Sequence, residues 1–272
     1  MTNLWGIGIV RDDNDVLGQH LDHALRFCHR VFYLDNNSVD GSWETLCEKA
    51  EEYPDRVFVE RFPGRYSQGV RREIYNRYNR DRPADHWWMK LDADEFIHED
   101  PRPVVKRASA AGADAVVVWQ VQFQYTEIDH ARYLRGEDDP TRPIEQRRRY
   151  YRTNWREARF FRNFPDATWE NDRIVHPEQV RRYHSERPLN RHYQFRSPQQ
   201  IQHRLALRKA SPHFAHVTHI GWESELADSS TCAEWLPGTD PEVHRLKFLR
   251  TKANQKIVGP FSPERRKKRT AG

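Results

Sequence analysis

Short apolar runs of strand length alternate with amphipathic stretches over the first half of the chain. Leu4 to Val10 alternates bulky apolar residues with glycine and predicts a first strand. A helix is expected from about Val16, with Leu17, Leu21, Leu25 and Cys28 on one face and Asp15 as its N-cap. Val31-Phe32-Tyr33-Leu34 predicts a second strand. The turn-rich stretch Asp35 to Gly41 follows, then a helix carrying Trp43, Leu46, Cys47 and Ala50. Val57 to Arg61 predicts a third strand, and Ser67 is placed to cap a helix through Tyr78. Trp87 to Leu91 is a further apolar strand, followed by a helix near Val104 to Ala111 and a strand from Asp114 to Phe123.

This alternation predicts an α/β fold, a mostly parallel Rossmann-like sheet with helices on both faces. Beyond residue 124 the pattern becomes irregular and reads as α+β. Arg159 to Arg162 predicts a short strand. Ser197-Pro198-Gln199-Gln200 has capping-box form with proline at the first helical position, so a helix is expected from Pro198 to about Lys209. The expected organisation is a regular half over 1–124, a second half of the same domain over 125–260, and a basic tail over 261–272 expected to be disordered.

The net charge of +5 owes much to arginine, dense from Arg142 to Arg208. Arginine binds phosphates through bidentate hydrogen bonds, so a nucleotide, an anionic acceptor, a membrane surface or nucleic acid would suit this half. Cys28, Cys47 and Cys232 lack metal-binding or disulfide spacing and fit a reducing compartment. No apolar run approaches membrane-spanning length and no signal-peptide pattern opens the chain. A cytoplasmic protein is expected; contact of the basic tail with the inner face of the membrane is the alternative.

The candidate chemistry lies where strands end. Asp92 and Asp94 follow the Trp87–Leu91 strand, two apart, on one side of an extended chain. Two hard oxygen donors so placed suit Mg²⁺ or Mn²⁺ shared with a diphosphate. Asp13 and Asp35 also end predicted strands, and ligands of open α/β sheets sit beyond those ends. Gly6 and Gly8 resemble part of a dinucleotide fingerprint, but Arg11 stands at the third glycine position and excludes it.

Three segments in order carry a more specific resemblance. Ile9 to Leu17 resembles an opening that usually reads Arg-Asn-Glu before a helix, with Asp12 and Asp13 here in place of Asn and Glu. Leu34-Asp35-Asn36-Asn37-Ser38-Val39-Asp40-Gly41-Ser42 resembles a D-N-x-S-x-D-G-T segment, and Leu91-Asp92-Ala93-Asp94-Glu95-Phe96 resembles a D-A-D-E-F metal motif. Together they are similar to the family 2 glycosyltransferases of the GT-A fold, especially bacterial members. Arg191 to Ser197 also resembles a segment of bacterial relatives.

That resemblance implies a GT-A fold and a hexosyltransferase of polysaccharide biosynthesis. It would transfer sugar from a nucleoside-diphosphate donor to a glycan, lipid-linked or small-molecule acceptor, with Mn²⁺ or Mg²⁺. The 1–124 half would bind the nucleotide sugar through Val10, Arg11, Asp13, Asp35, Asn37, Asp92 and Ala93, and the 125–260 half the acceptor. Asp92 and Asp94 would hold the metal, with His216 or His219 as a further ligand; Glu95 would be a supporting acid. His192 and Arg196 would face the diphosphate or acceptor, joined by Arg204 and Arg208. Transfer would invert the anomeric carbon, using Asp172 or Glu170 as general base, with Glu127, Asp129 and Glu157 also open. Trp119, Tyr125, Trp155 and Trp169 are candidates to stack on an acceptor sugar. Two other readings use the same features: a basic nucleic-acid-binding protein, and a sugar nucleotidyltransferase, which would also need paired acids and a metal.

Overall fold

Every residue of β1 (Leu4–Val10) is buried, and the strand sends alternate side chains into two cores. Leu4 and Val10 join Leu17, Leu21, Leu46 and Val105, whereas Trp5, Ile7 and Ile9 join Phe32, Ile74, Tyr75 and Trp88. A central strand of a sheet covered on both faces requires this double burial. The computed structural model describes residues 3–67, 69–210 and 221–241.

After β1 come α1 (Asn14–Ala24), β2 (Arg30–Asp35), α2 (Ser42–Glu52), β3 (Val57–Arg61), α3 (Arg72–Tyr78), β4 (Trp87–Leu91), β5 (Glu95–Ile97), α4 (Arg102–Ala110) and β6 (Ala115–Phe123). The second half adds β7 (Tyr125–Thr126), α5 (Glu127–Leu134), α6 (Ile144–Arg147), β8 (Tyr150–Arg162), β9 (Leu189–His192), α7 (Pro198–Ala210), β10 (Leu226–Ala227) and β11 (Ala233–Glu234). The main sheet runs β3-β2-β1-β4-β8-β6-β9-β5. Its first four strands are parallel, β8 enters antiparallel to β4 and β6, and β9 lies parallel to β6 and antiparallel to β5. The expected α/β sheet flanked by helices is present. Apolar residues of α1, α2 and α4 cover one face and those of α3 the other.

The two glycines of β1 serve this packing. A Cβ on Gly6 would fall 2.3 Å from Leu91 Cδ1, and one on Gly8 would fall 2.4 Å from the Tyr33 ring. Neighbouring strands have filled the space that a side chain would need.

Several local expectations change. α1 begins at Asn14, with Asp13 at the N-cap position; Asp15 sits in the first turn, where its carboxylate meets Arg196 instead of capping. α3 begins at Arg72 rather than next to Ser67, after turns that bond Val70 N to Ser67 O and Arg72 N to Gly69 O. β8 is far longer than the predicted Arg159–Arg162 piece, because its polar side chains have partners across the sheet. α7 forms as predicted. Gln200 N donates to Ser197 Oγ (3.1 Å), but the Gln200 side chain accepts from Arg196 N (3.0 Å) rather than from the cap residue. Among the described residues no helix is long and apolar enough to cross a membrane. The 261–272 tail lies outside the described residues.

Candidate active site

Parallel pairing of β2, β1 and β4 brings their carboxyl ends to one rim, with Val10 opposite Asp35 and Gly8 opposite Leu91. Asp35 closes β2, Asp12 and Asp13 follow β1, and Asp92 and Asp94 follow β4. The first two loops are tied together by side chains. Asp12 N donates to Ser38 Oγ (3.0 Å), Val39 N to Asp12 Oδ1 (2.7 Å) and Asp13 N to Ser42 Oγ (3.0 Å). Asp12 and Asn37 both adopt left-handed backbone (φ 55° and 62°). Two such residues in facing loops mark a turn geometry that the surrounding bonds must hold.

Asp35 is fully buried. Its Oδ2 accepts from Arg61 (2.7 Å) and Ser38 N (3.3 Å), while its Oδ1 has no hydrogen-bond partner. The Arg61 guanidinium lies 4.2 Å from the Trp43 ring centroid. Of the other predicted donor residues, Val10 and Ala93 are buried and Arg11 is exposed beside Asp12.

Behind the rim stands a network of acids and cations. Asp92 accepts from Arg71 on one oxygen and from Arg159 (2.5 Å) on the other, with Lys90 at 3.7 Å. Asp94 Oδ2 accepts from Arg204 (2.8 Å) and lies 3.3 Å from His192 Nε2 and 3.8 Å from Arg196. Glu95 accepts from Arg159, Gln120 (3.1 Å) and Asn190 (2.6 Å). Glu157 accepts from Lys90 (2.6 Å) and lies 2.9 Å from Arg159. Arg196, fully buried, reaches Asp13 (2.7 Å) and Asp15 (2.8 Å).

These surroundings sort the acids into two kinds. Burial opposes ionisation of Asp92, but Arg71, Lys90 and Arg159 outweigh it and hold the carboxyl well below the usual range. For Asp94 the same opposition is overcome by His192 and Arg204. At Glu95 burial wins over Arg159 and pushes the carboxyl up to about 7. Asp13 likewise rises to about 6 through burial, only partly offset by Arg196. Ionised carboxylates therefore stand beside acids that exchange protons nearer neutrality, a separation common where chemistry is done.

Asp94, Glu95 and His192 offer ligand atoms that all lie within 4.8 Å of one another. β5–β9 register creates this group by placing His192 directly opposite Glu95. Carboxylate oxygens with one imidazole suit a divalent cation such as Mn²⁺ or Mg²⁺. Both oxygens of Asp92, in contrast, already accept from guanidinium groups. His216 and His219 lie outside the described residues.

Glu170 and Asp172 lie on an exposed turn at the approach to α3. Gly69 N donates to Asp172 O (2.7 Å), and a Cβ on Gly69 would sit 2.5 Å from Asp172 Cα. Arg72 donates to Glu170 O, and Arg71, next in the chain, grips Asp92. The turn is thereby tied to the segment that meets the rim. The other candidate bases are committed elsewhere: Glu127 accepts from Ser229, Asp129 forms the capping box of α5, and Glu157 is paired as above. Sequence reasoning missed Arg71, Lys90 and Arg159. Lys90, an ammonium inside an otherwise apolar strand, was the one local signal; the arginines had none.

No family model and no curated protein matches the chain. Among solved structures it is similar to a mannosyltransferase from Pyrobaculum calidifontis in complex with GDP-Man and Mn²⁺, at 16% identity and TM-score 0.33 over 48% of this chain and 37% of that one. It is also similar to TarS from S. aureus, at 10% identity and TM-score 0.39 over 79% of this chain and 68% of that one. A third is GalNAc-T7 with UDP, GalNAc and Mn²⁺, at 13% identity and TM-score 0.35 over 46% of this chain and 24% of that one. The chain thus spans little more than a third of the mannosyltransferase's length.

Proposed function

We propose that the protein is a metal-dependent glycosyltransferase that moves a sugar from a nucleoside diphosphate to an acceptor hydroxyl. The observation that carries this reading is that Asp35, Asp13 and Asp94 end or follow the parallel strands β2, β1 and β4, that Asp94 is grouped there with Glu95 and His192 of the antiparallel β5–β9 pair, and that Arg196 and Arg204 bond Asp13 and Asp94. In this reading Asp35, with an unpartnered oxygen, takes a donor group of the nucleoside. Asp94 and His192, with Glu95 beside them, would hold the cation, and Asp92 is fixed by Arg71 and Arg159 to support the same loop. A divalent cation there would offset the charge that gathers on the leaving diphosphate. Arg204 and Arg196 supply further positive charge on that side.

Asp172, with Glu170 as the alternative, removes the proton of the acceptor hydroxyl as its oxygen bonds to the anomeric carbon. The bond from that carbon to the diphosphate breaks, and the nucleoside diphosphate leaves with the electron pair. A single displacement of this kind inverts the configuration.

A thermal-shift screen of nucleoside diphosphates and their sugars, with and without Mn²⁺, tests the reading. It expects stabilisation that needs both ligand and cation, and release of nucleoside diphosphate on turnover. Release of pyrophosphate would replace it with nucleotidyl transfer.

A further inference from the structure

Of the four aromatic residues open to a role in stacking on sugar, three are spent in the interior. Trp119 is 7% exposed, and Tyr125 and Trp169 are 0% exposed. Trp155 keeps 37% of its surface exposed. Among the described residues, the other large apolar side chains this exposed are aliphatic: Val39, Ile128, Leu134, Leu226 and Leu236. Most of Trp155 is packed, and what it leaves open is a flat apolar face within reach of a ligand.

Register says which face Trp155 occupies. It lies opposite Gln120 in the antiparallel β6–β8 ladder, and directly opposed residues share a face. Gln120 donates to Glu95 (3.1 Å), and Asn190 donates to Gln120 (3.0 Å) and to Glu95 (2.6 Å). Glu157, two residues along β8, is on the same face by strand alternation. From the other side the Trp155 ring is 6.3 Å from the His192 imidazole, tilted by 54°. Trp155 therefore rises at the edge of the Asp94–Glu95–His192 group.

We propose that Trp155 is the platform on which a pyranose ring of the acceptor stacks, so that the acceptor presents its hydroxyl from carbohydrate. The proposal rests on the glycosyltransferase reading and narrows its acceptor. A single flat apolar surface beside His192 and the partly exposed Glu157 suits a ligand with one apolar face and a polar rim. A pyranose has this form: its axial C–H groups lie against the ring and its hydroxyls point to polar neighbours. A lipid chain would instead need a contiguous apolar patch.

The test titrates the full chain with the methyl pyranosides of glucose, galactose, mannose and N-acetylglucosamine, in the presence of nucleoside diphosphate and Mn²⁺. Indole N–H resonances are followed, and Trp155→Phe assigns the signal of Trp155. At least one pyranoside is expected to shift that resonance before the others. Trp155→Ala is expected to weaken its binding by about tenfold, a contact of the size aromatic stacking supplies, while Trp155→Phe keeps most of it. The thermal shift given by nucleoside diphosphate with Mn²⁺ is expected in both variants, which shows that they fold. If no pyranoside moves the Trp155 signal, or if Trp155→Ala binds pyranosides as the parent does, the platform is overturned. Failure of the parent protein to bind nucleoside diphosphate would instead overturn the glycosyltransferase reading beneath it.

Discussion

Arg204 donates to Asp94 Oδ2 at 2.8 Å, joining α7 to the loop after β4 across 110 residues of chain. The same segment places Arg196 on Asp13 and Asp15 and His203 on Asp12 (2.8 Å). One helix and its approach thus face the acids of the β1 and β4 ends. A cation bound at Asp94 would share that carboxylate with Arg204, which makes Asp94 the most informative position to alter. Asp94→Asn is expected to abolish the Mn²⁺-dependent part of stabilisation by nucleoside diphosphate, read by thermal shift. An unchanged Mn²⁺ response would remove Asp94 from the cation site.

Asp35 separates the nucleoside from the diphosphate. Asp35→Ala removes a buried carboxylate whose Oδ1 is unpartnered. Loss of a hydrogen bond to a charged group costs about 1.5–3 kcal/mol, so affinity for nucleoside diphosphate is expected to fall at least roughly tenfold. The fall should be the same with and without Mn²⁺ in calorimetric titration. A fall seen only with Mn²⁺ would move Asp35 to the diphosphate side.

Arg159 is the cation shared by Asp92, Glu95 and Glu157, and its side chain is 2% exposed. Arg159→Met would leave these carboxylates buried with less compensation. Breaking a buried pair from one side costs about 3–5 kcal/mol, and urea unfolding should show a loss of that order. Adding Glu157→Gln should restore part of it. A loss below about 1 kcal/mol would show the network to be solvated.

His20 and His86 give a pH dependence with a definite sign. Burial lowers His20 from 6.5 to about 4 and His86 from 6.5 to about 3. His20 is held neutral: its Nδ1 donates to Glu95 O (2.8 Å) and its Nε2 accepts from Tyr33 Oη (2.6 Å). Between pH 6.5 and these lower values the unfolded chain binds protons that the folded chain does not. Their contribution to stability is therefore full above pH 6.5 and is lost as pH falls towards 4. Glu95 and Asp13, raised by burial to about 7 and about 6, act with the opposite sign over this range. The His20 part is therefore read as the difference between the parent and His20→Gln in denaturation at a series of pH values, the parent losing more stability than the variant as pH falls. An equal slope in the variant would refute the assignment.

Asp172→Asn tests the general base. Losing such a group slows turnover by about 10²–10⁴. With donor affinity unchanged, kcat should fall and the nucleoside-diphosphate thermal shift should persist. If Glu170→Gln shows the loss and Asp172→Asn does not, the role passes to Glu170.

The sequence by itself determined the elements of the first half and the place of its acids. Leu4 to Val10, Val31 to Leu34 and Trp87 to Leu91 are mainly apolar runs whose period is local, so no distant residue was needed to read them as strands. Asp13, Asp35, Asp92 and Asp94 end those strands, and strand order then fixed their common rim. What each acid touches was decided only by tertiary structure. Arg159 meets Asp92 across 67 residues and Arg204 meets Asp94 across 110, contacts that no local period encodes. β5 and β9, three and four residues long, are too short for a pattern to show, yet their pairing sets His192 against Glu95. Among the stacking candidates, exposure alone separated Trp155 from Trp119, Tyr125 and Trp169, and exposure belongs to the packed chain. Hydrophobic periodicity is carried by neighbours in sequence; charge pairing and burial are carried by neighbours in space.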